Sequence, residues 1–513
     1  MTRTVGNRAR RRNVWAVGLA LVGGAVHGAV FPSLGMWPAA FVALAPLLVA
    51  VRRRSALAGL VLGWLAGSVA AGIAVVPWLA TSAREFFGIG AVGALAIGVA
   101  AGQTFGAAPI ALFGAVAARS SRLRSAPGRM FTTAAAWSAI EFARSRLLTG
   151  NPWDLLAHAL YAAPIWVQIA DLGGALLVSF VLALTAAAVA ESVCGTGRDA
   201  RQAIAIAAIV LMLDLTYGAV RLTAPGDPGE RMTIALVQGN VPNAWRNDPT
   251  HAEQGLRVYA DLTRSVLAEH PALVAWPETA VSVLLEPNPR FRAVLAEVLR
   301  GAGVPLVLGA PRAAPSGAGR VDLFNSAHLL AADGAVLGTY DKRHLVPFAE
   351  YLPAPWLWGR DGPRPGDYTP GATSGVFPAP VPFGVLVCFE VIYPELVREL
   401  VAGGAHLLVN LSNDAWFSGA AAREQHFAAV VFRAVEFRRP VVRVANAGIT
   451  AAVDPTGRVN ARFPTDVAGA WTVGVVPSEA STFYARTGDL FAWLAVLGAA
   501  LGLIRTGRRP AAG

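Results

Sequence analysis

The stretch GVLVCFEVIYPE, residues 384–395, opens as a run of small and β-branched apolar residues, ends that run on a cysteine, and carries a glutamate two positions later. Short apolar runs of this kind read as strands buried on both faces. Others occur at 233–238 (TIALVQ), 272–276 (ALVAW), 304–309 (VPLVLG) and 406–411 (HLLVNL), with helix-like stretches at 252–269 and 422–437. Strands alternating with helices predict an α/β domain with a buried sheet. AADGAVLGTYDK (331–342) and ITAAVDPTGRV (449–459) read as hairpins that turn at Asp-Gly and Pro-Thr-Gly. The Pro- and Gly-rich linker RLTAPGDPGE, 221–230, marks where this domain begins.

The rest of the chain is of another kind. With 55% hydrophobic and 15% charged residues over 513 positions, it is too apolar for a soluble protein and too long for one small domain. Apolar runs near the ~17–25 residues that cross a bilayer fall at 14–31, 36–51, 57–80, 88–117, 130–143, 165–190, 202–220 and 488–504, the fifth being short and semi-polar. The N-terminus carries Arg3, Arg8, Arg10, Arg11 and Arg12. Further clusters follow the second run (Arg52, Arg53, Arg54), the fourth (Arg119, Arg122, Arg124, Arg129), the sixth (Arg198, Arg201) and the last (Arg505, Arg508, Arg509). With eight crossings all five clusters fall on one side, and the cytoplasmic bias of arginine puts both termini there. The first run, which could pass for a signal peptide, is then an uncleaved anchor. The expected organisation is a polytopic α-helical membrane domain with seven helices over 1–220, an extracytoplasmic domain over 221–487, and a final helix with a cytoplasmic tail over 488–513. The net charge of +11 is in part this topology signal and does not argue for nucleic-acid binding.

Three residues of the outer domain stand at strand ends, where open α/β sheets bind ligands: Glu278 in LVAWPETA, Lys342 after VLGTYD, and Cys388. Lys342 is the one lysine among 43 basic residues, and Cys388 is the one cysteine of its domain; the other, Cys194, falls in a loop expected on the cytoplasmic side, so no disulfide is expected. A thiol must lose its proton to act as a nucleophile. Glu278 could take that proton as general base. Lys342 could hold the thiolate and then the developing oxyanion, helped by the backbone N–H after the cysteine. A compact ammonium with three rotatable donors suits that task, whereas a planar guanidinium fork suits a carboxylate. Plainer readings stand beside each: Cys388 as a small core residue, Glu278 as a helix cap, Lys342 as a solvated turn partner of Asp341.

AWPET (275–279), YDKRHLVPFAEYLP (340–353), VCFE (387–390) and NLSNDAWF (410–417), in this order and spacing, resemble the nitrilase-like carbon–nitrogen hydrolase superfamily with its Glu-Lys-Cys triad. Lying between seven apolar spans and an eighth, together with LLTGNPWDLLAHAL (147–160), QIADLGGALLVSF (168–180) and VVRVANAGITAAVDPTGRV (441–459), they resemble one branch of it, the apolipoprotein N-acyltransferases. The resemblance implies an α-β-β-α sandwich for the outer domain and a multi-pass protein of the bacterial plasma membrane. It implies an enzyme that moves an acyl chain from a phospholipid to the α-amino group of the diacylglyceryl-cysteine of a lipoprotein; a monomer is expected. Cys388 would form a thioester, with Glu278 as base and Lys342 as electrostatic support. Two further glutamates of the family fall on Glu350 and Glu390, expected close to the thiol; ion pairs with nearby arginines are their plainer reading. Phe389 stands where tyrosine is common, Ala349 where glycine is usual, and WFSGAAAREQHF (416–427) departs from the family's glycine and proline.

The loop 351–371 carries Trp356, Leu357 and Trp358, which could dip into the headgroup region or cover the domain's own core. Trp245 in QGNVPNAWRNDP (238–249) lies near a tryptophan the family uses, at a different spacing from QGN. No metal-ligand cluster or phosphate-binding glycine loop appears in the sequence, so no cofactor is expected. Two other readings compete. A membrane-tethered nitrilase or amidase would keep the triad and hydrolyse small carbon–nitrogen substrates. A non-catalytic assembly factor or transporter would use intramembrane charges such as Asp171 and Asp214.

Overall fold

The computed structural model describes residues 2–147, 149–224, 229–242, 245, 249–285, 288–300, 303–316, 321–358, 367–417 and 419–507. The chain divides into two compact units: Met1–Ala224 with Phe417–Ala428 and Arg486–Gly513, and Pro225–Trp416 with Ala429–Ala485.

The first unit is helical: α1 (Thr2–Ala29), α2 (Ala45–Val51), α3 (Ala56–Ala74), α4 (Val76–Phe87), α5 (Ala91–Ala101), α6 (Ala108–Ser120), α7 (Ala126–Arg146), α8 (Ala170–Cys194), α9 (Gly197–Thr223) and, past the second unit in sequence, α15 (Leu490–Gly507). A π-helical turn, Gly102–Ala107, joins α5 to α6, and Gly173 and Gly174 leave helical geometry inside α8. Among the described residues, four helical stretches are long and apolar enough to cross a membrane: 56–74, 91–120, 170–194 and 197–223. Shorter apolar ones lie at 37–51 and 490–506. Lipid offers no hydrophobic drive between helices, so close packing of small residues must hold them. α3 and α6 meet in that way. A Cβ on Gly59 would stand 2.3 Å from the Gly114 carbonyl oxygen, and one on Gly63 would stand 2.4 Å from that of Ile110. Large apolar side chains such as Ile209, Met212 and Leu213 of α9 and Leu497 and Leu501 of α15 point outward, a surface suited to acyl chains and not to water.

Among the described residues, arginines of the second and third clusters bond to one another's segments and to residues beside the other three clusters. Arg54 donates to Asn13 and to the Arg12 carbonyl, both at 2.8 Å, and the Arg53 N–H donates to Ser121 at 3.0 Å. Arg119 donates to Thr506 at 3.1 Å. Arg129 pairs with Glu191 at 2.6 Å and Asp199 at 3.3 Å, and Arg52 also pairs with Glu191.

The second unit holds two six-stranded sheets. The first contains β1 (Met232–Gln238), β2 (Leu273–Ala275), β3 (Leu306–Pro315), β4 (Val321–Leu330), β5 (Val336–Asp341) and β12 (Gly469–Val475), in the order β12-β1-β2-β3-β4-β5. The second contains β6 (Val376–Phe377), β7 (Phe383–Val387), β8 (Leu407–Ser412), β9 (Val441–Ala445), β10 (Ala451–Val453) and β11 (Val459–Arg462), in the order β11-β10-β9-β8-β7-β6. The strands β1-β2-β3 and β7-β8-β9 run parallel. Ile234, Leu236 and Ala275 meet Val385, Val387, Val409 and Val444 in the core between the sheets. The alternate residues Ala235, Val237 and Val274 pack outward on α10 (Pro249–Val266) and α11 (Pro289–Arg300) through Leu256, Tyr259, Leu295 and Leu299. Strands with both faces covered have no reason to alternate polar and apolar residues, which is why they read as continuous apolar runs. On the second sheet, α12 (Pro394–Ala402) brings Leu400 against Gly384 of β7. The helix α13 (Ala420–Phe437) carries Val431 and Val435 against the Pro455–Gly457 turn, and a short helix, α14 (Phe483–Thr487), follows β12 in sequence.

Candidate active site

The C-terminal ends of several strands converge. β5 runs antiparallel to β4, which is antiparallel to β3, so Lys342, one residue past β5, emerges at the same end as Glu278, three past β2. Cys388 follows β7 directly and Asn413 follows β8. Gly309 on β3 admits the Glu278 turn: a Cβ there would stand 2.4 Å from the Thr279 nitrogen and 2.6 Å from the Glu278 Cα. These are backbone atoms that cannot swing away. Gly309→Ala is expected to cost about 1–3 kcal/mol of stability and, by displacing Glu278, about 10²-fold in any reaction that depends on that carboxylate. Thermal unfolding and turnover on the same preparation measure both.

Glu278 is held on both oxygens. Oε1 accepts from the Asn325 side-chain amide at 2.7 Å and lies 3.6 Å from Lys342 Nζ, while Oε2 accepts from the Asn413 backbone N–H at 3.1 Å. Lys342 Nζ lies 3.0 and 2.9 Å from the two oxygens of Glu350. The same Asn325 amide donates to Glu350 at 2.7 Å, and the Val346 N–H donates to Glu350 at 2.7 Å. At 1% exposure Lys342 is no solvated turn residue. Its neighbour Asp341 pairs instead with Arg312 at 2.5 Å and accepts from Ser326 at 2.6 Å. Burial works against the Lys342 charge, but the carboxylates of Glu350 and Glu278 outweigh it and hold the ammonium well above the usual lysine range.

Cys388 is buried and has left-handed backbone geometry (φ 53°), rare for a residue with a Cβ, at the step from β7 into a 3₁₀ turn (Cys388–Ile392). Burial, reinforced by the charges of Glu278 and Asp414, pushes its thiol up to about 12, against the pull of Lys342 and a Ser412 hydrogen bond. The resting residue is therefore a thiol near neutrality and needs a base to react. Behind it Asn410 donates to the Cys388 carbonyl at 3.3 Å and accepts from Arg443. Arg443 is itself buried against Asp414 at 2.6 and 2.7 Å and Ser412 at 3.1 Å.

Glu390 faces elsewhere. Its carboxylate accepts from the Tyr340 hydroxyl at 2.8 Å and from the backbone N–H groups of Arg343 (2.7 Å), His344 (3.1 Å) and Val387 (2.8 Å). It thus ties the Lys342 segment to the end of β7. Burial pushes its carboxyl above the ordinary range, and those donors offset part of the rise. The Phe389 ring packs 5.5 Å from Tyr393 and 6.5 Å from His344, centre to centre. Trp356 is 72% exposed. The side chains of Leu357 and Trp358, and residues 359–366 of the same loop, lie outside the described set. Trp245 stacks on His251 at 4.9 Å. Asn325, Ser412 and Asn413 escaped the sequence reading; the signal for Asn325 was a lone amide inside VDLFNSAHLL. In the first unit Asp171 accepts from Tyr217 at 2.8 Å and pairs with Arg221 at 3.1 Å, a structural ion pair.

A carbon–nitrogen hydrolase model matches residues 233–482, and a model described as the apolipoprotein N-acyltransferase N-terminal domain matches 23–188. The first defines the class of the second unit, a nitrilase-like domain, here joined to apolar helices. The chain is 34% identical over 498 residues to an apolipoprotein N-acyltransferase of Geobacter metallireducens, covering 94% of each, and 31% identical over 488 residues to one of Pseudomonas syringae pv. tomato, covering 91% and 92%. Among solved structures it is similar to an amidase from Nesterenkonia sp., at 20% identity and a TM-score of 0.38, over 50% of this chain and 95% of that one. The chain belongs to the apolipoprotein N-acyltransferase family.

Proposed function

We propose that this protein transfers a fatty acyl chain from a phospholipid to the α-amino group of a lipoprotein's diacylglyceryl-cysteine, with Cys388 as nucleophile, Glu278 as base and Lys342 as oxyanion partner. Glu278 Oε2, engaged by a single backbone donor, takes the Cys388 proton as sulfur adds to the ester carbonyl. Lys342 and the Phe389 N–H stabilise the resulting oxyanion. Collapse expels the lysophospholipid oxygen, which takes the proton from Glu278 and leaves a thioester. The lipoprotein amine then adds to that thioester and gives its proton to Glu278. Collapse to the amide expels the Cys388 sulfur, which recovers the proton.

The observation that carries the reading is the hydrogen-bonded set of Lys342, Glu278, Asn325 and Glu350, the first three of them buried, beside a thiol that is protonated at rest. A donor ester and an acceptor amine in place of water suit an enzyme built into a membrane. Eight crossings, with domains at 1–220, 221–487 and 488–513, would put the arginine-rich end in the cytoplasm and the catalytic domain outside it. The exposed Trp356 would then rest in the headgroup region, and the enzyme would act as a monomer.

Mass spectrometry of protein incubated with phospholipid tests the proposal. A fatty-acyl adduct on Cys388 that hydroxylamine removes is expected. Release of ammonia from small amides with no such adduct would favour a tethered amidase and overturn it.

A further inference from the structure

We propose that Asn325 is a positioning residue, whose one side-chain amide sets both the orientation of the base Glu278 and the way the Lys342 charge is shared between two carboxylates. The inference rests on the triad reading above. Asn325 lies inside β4, opposite Pro311 of β3, with its backbone carbonyl accepting from the Lys342 N–H at 2.8 Å. Its Nδ2 has two N–H bonds, and each meets a carboxylate: Glu278 Oε1 and Glu350 Oε1, both at 2.7 Å. Two carboxylates this near one another repel. Lys342 neutralises one charge, sits 2.9 Å from Glu350 and 3.6 Å from Glu278, and so leans to the former.

The amide corrects that imbalance, because it brings a donor to Glu278 without bringing a second positive charge. With Oε1 occupied by Asn325 and Lys342, Glu278 cannot rotate, and Oε2 remains as its proton-accepting atom. A residue with one donor, or none, would free Glu278 to turn toward Lys342 and take the ammonium away from the oxyanion position. Asparagine is also the side chain of this size that supplies two donors with no ionisation of its own. Asn325 touches no reacting atom in this scheme and acts through Glu278 and Lys342.

Single-turnover formation of the acyl adduct on Cys388, followed by mass spectrometry across pH 5 to 9, tests this. Asn325→Ala should slow adduct formation about 10²-fold. Asn325→Asp is isosteric: neutral, it keeps one donor, and ionised, it adds a third repelling carboxylate. Its rate should therefore fall as pH rises, an acid-shifted profile that a role in folding alone would not give. If Asn325→Ala does not fold, Asn325→Asp still decides, because a wild-type rate and profile in that variant overturns the inference. Wild-type protein that forms no adduct overturns the acyl-transfer reading itself, so the two failures are distinguishable.

Discussion

The Cys388→Ala variant is expected to form no acyl adduct with phospholipid and to transfer no acyl chain, while remaining folded. Alanine tolerates the left-handed backbone about as poorly as cysteine does, so the local strain is the same in both. The methyl group also fits where the Cβ already sits, and Asn410, Arg443 and Asp414 keep their bonds to one another. The loss therefore reports the missing sulfur. Cys388→Ser should retain only a trace of activity, because a hydroxyl is a far weaker nucleophile than a thiolate and the site supplies a single base to activate it. The raised thiol has a consequence for pH as well. A group whose charged form is disfavoured is less reactive at a given pH, so alkylation of Cys388 by iodoacetamide should stay slow at pH 7 to 8 and rise only well above pH 9. Normal transfer by the alanine variant would contradict the mechanism, and alkylation at the rate of a free thiol below pH 8 would contradict the raised resting thiol.

What the sequence made legible follows from where the constraints are local. β2, β7 and β8 are buried on both faces, so their apolar runs end abruptly and mark Glu278 and Cys388 without any knowledge of partners. Lys342 stood out through composition, and the hairpin turn at Asp333-Gly334 located the end of its strand. β4 and β9 went unread because each carries polar groups satisfied from elsewhere: Asn325 by carboxylates 47 and 25 residues away, Arg443 by Asp414 29 residues away. A strand read by its apolar pattern cannot announce such partners. The resemblance put Glu390 close to the thiol, and the 3₁₀ turn that starts at Cys388 directs its carboxylate to the Lys342 segment. In the helical unit the arginine clusters indicated a common end before any contact was known. The interruptions at Val75, just before Pro77, at the 102–107 turn and at Gly173-Gly174 lie inside continuous apolar runs, whose length and hydropathy do not register them. The stretch 422–437 read as one helix, and it is one, yet residues 417–428 group with the membrane-type unit. There Gln425 accepts from Trp153 at 2.9 Å and donates to the Ala74 carbonyl at 2.9 Å.

Lys342→Arg keeps the charge and is still expected to lower acyl transfer about 10²–10³-fold, the cost of removing a donor aimed at a developing oxyanion. The ammonium now serves three oxygens: both of Glu350 and one of Glu278. It can turn one of its three protons from the looser Glu278 contact at 3.6 Å to the oxyanion, because they rotate about a compact centre. Guanidinium presents its donors in a plane and pairs two of them with one carboxylate. In this pocket the near partner is Glu350, so the fork would lock there and its remaining donors would point where the plane directs them. The position is 1% exposed, so the larger head also has nowhere to relax into. Its added volume would press on Asn325 and Glu278, the two groups whose geometry would set proton transfer in the proposed mechanism. Lys342→Met separates charge from shape, since it leaves Glu278 and Glu350 facing each other uncompensated and should destabilise the domain by about 3–5 kcal/mol as well as abolish transfer. Comparing adduct formation with thermal stability distinguishes the two effects. The arginine variant should keep most of its stability and lose its rate, whereas wild-type turnover in it would mean that any buried positive charge suffices, and that the one lysine in a chain otherwise supplied with arginine has no catalytic cause.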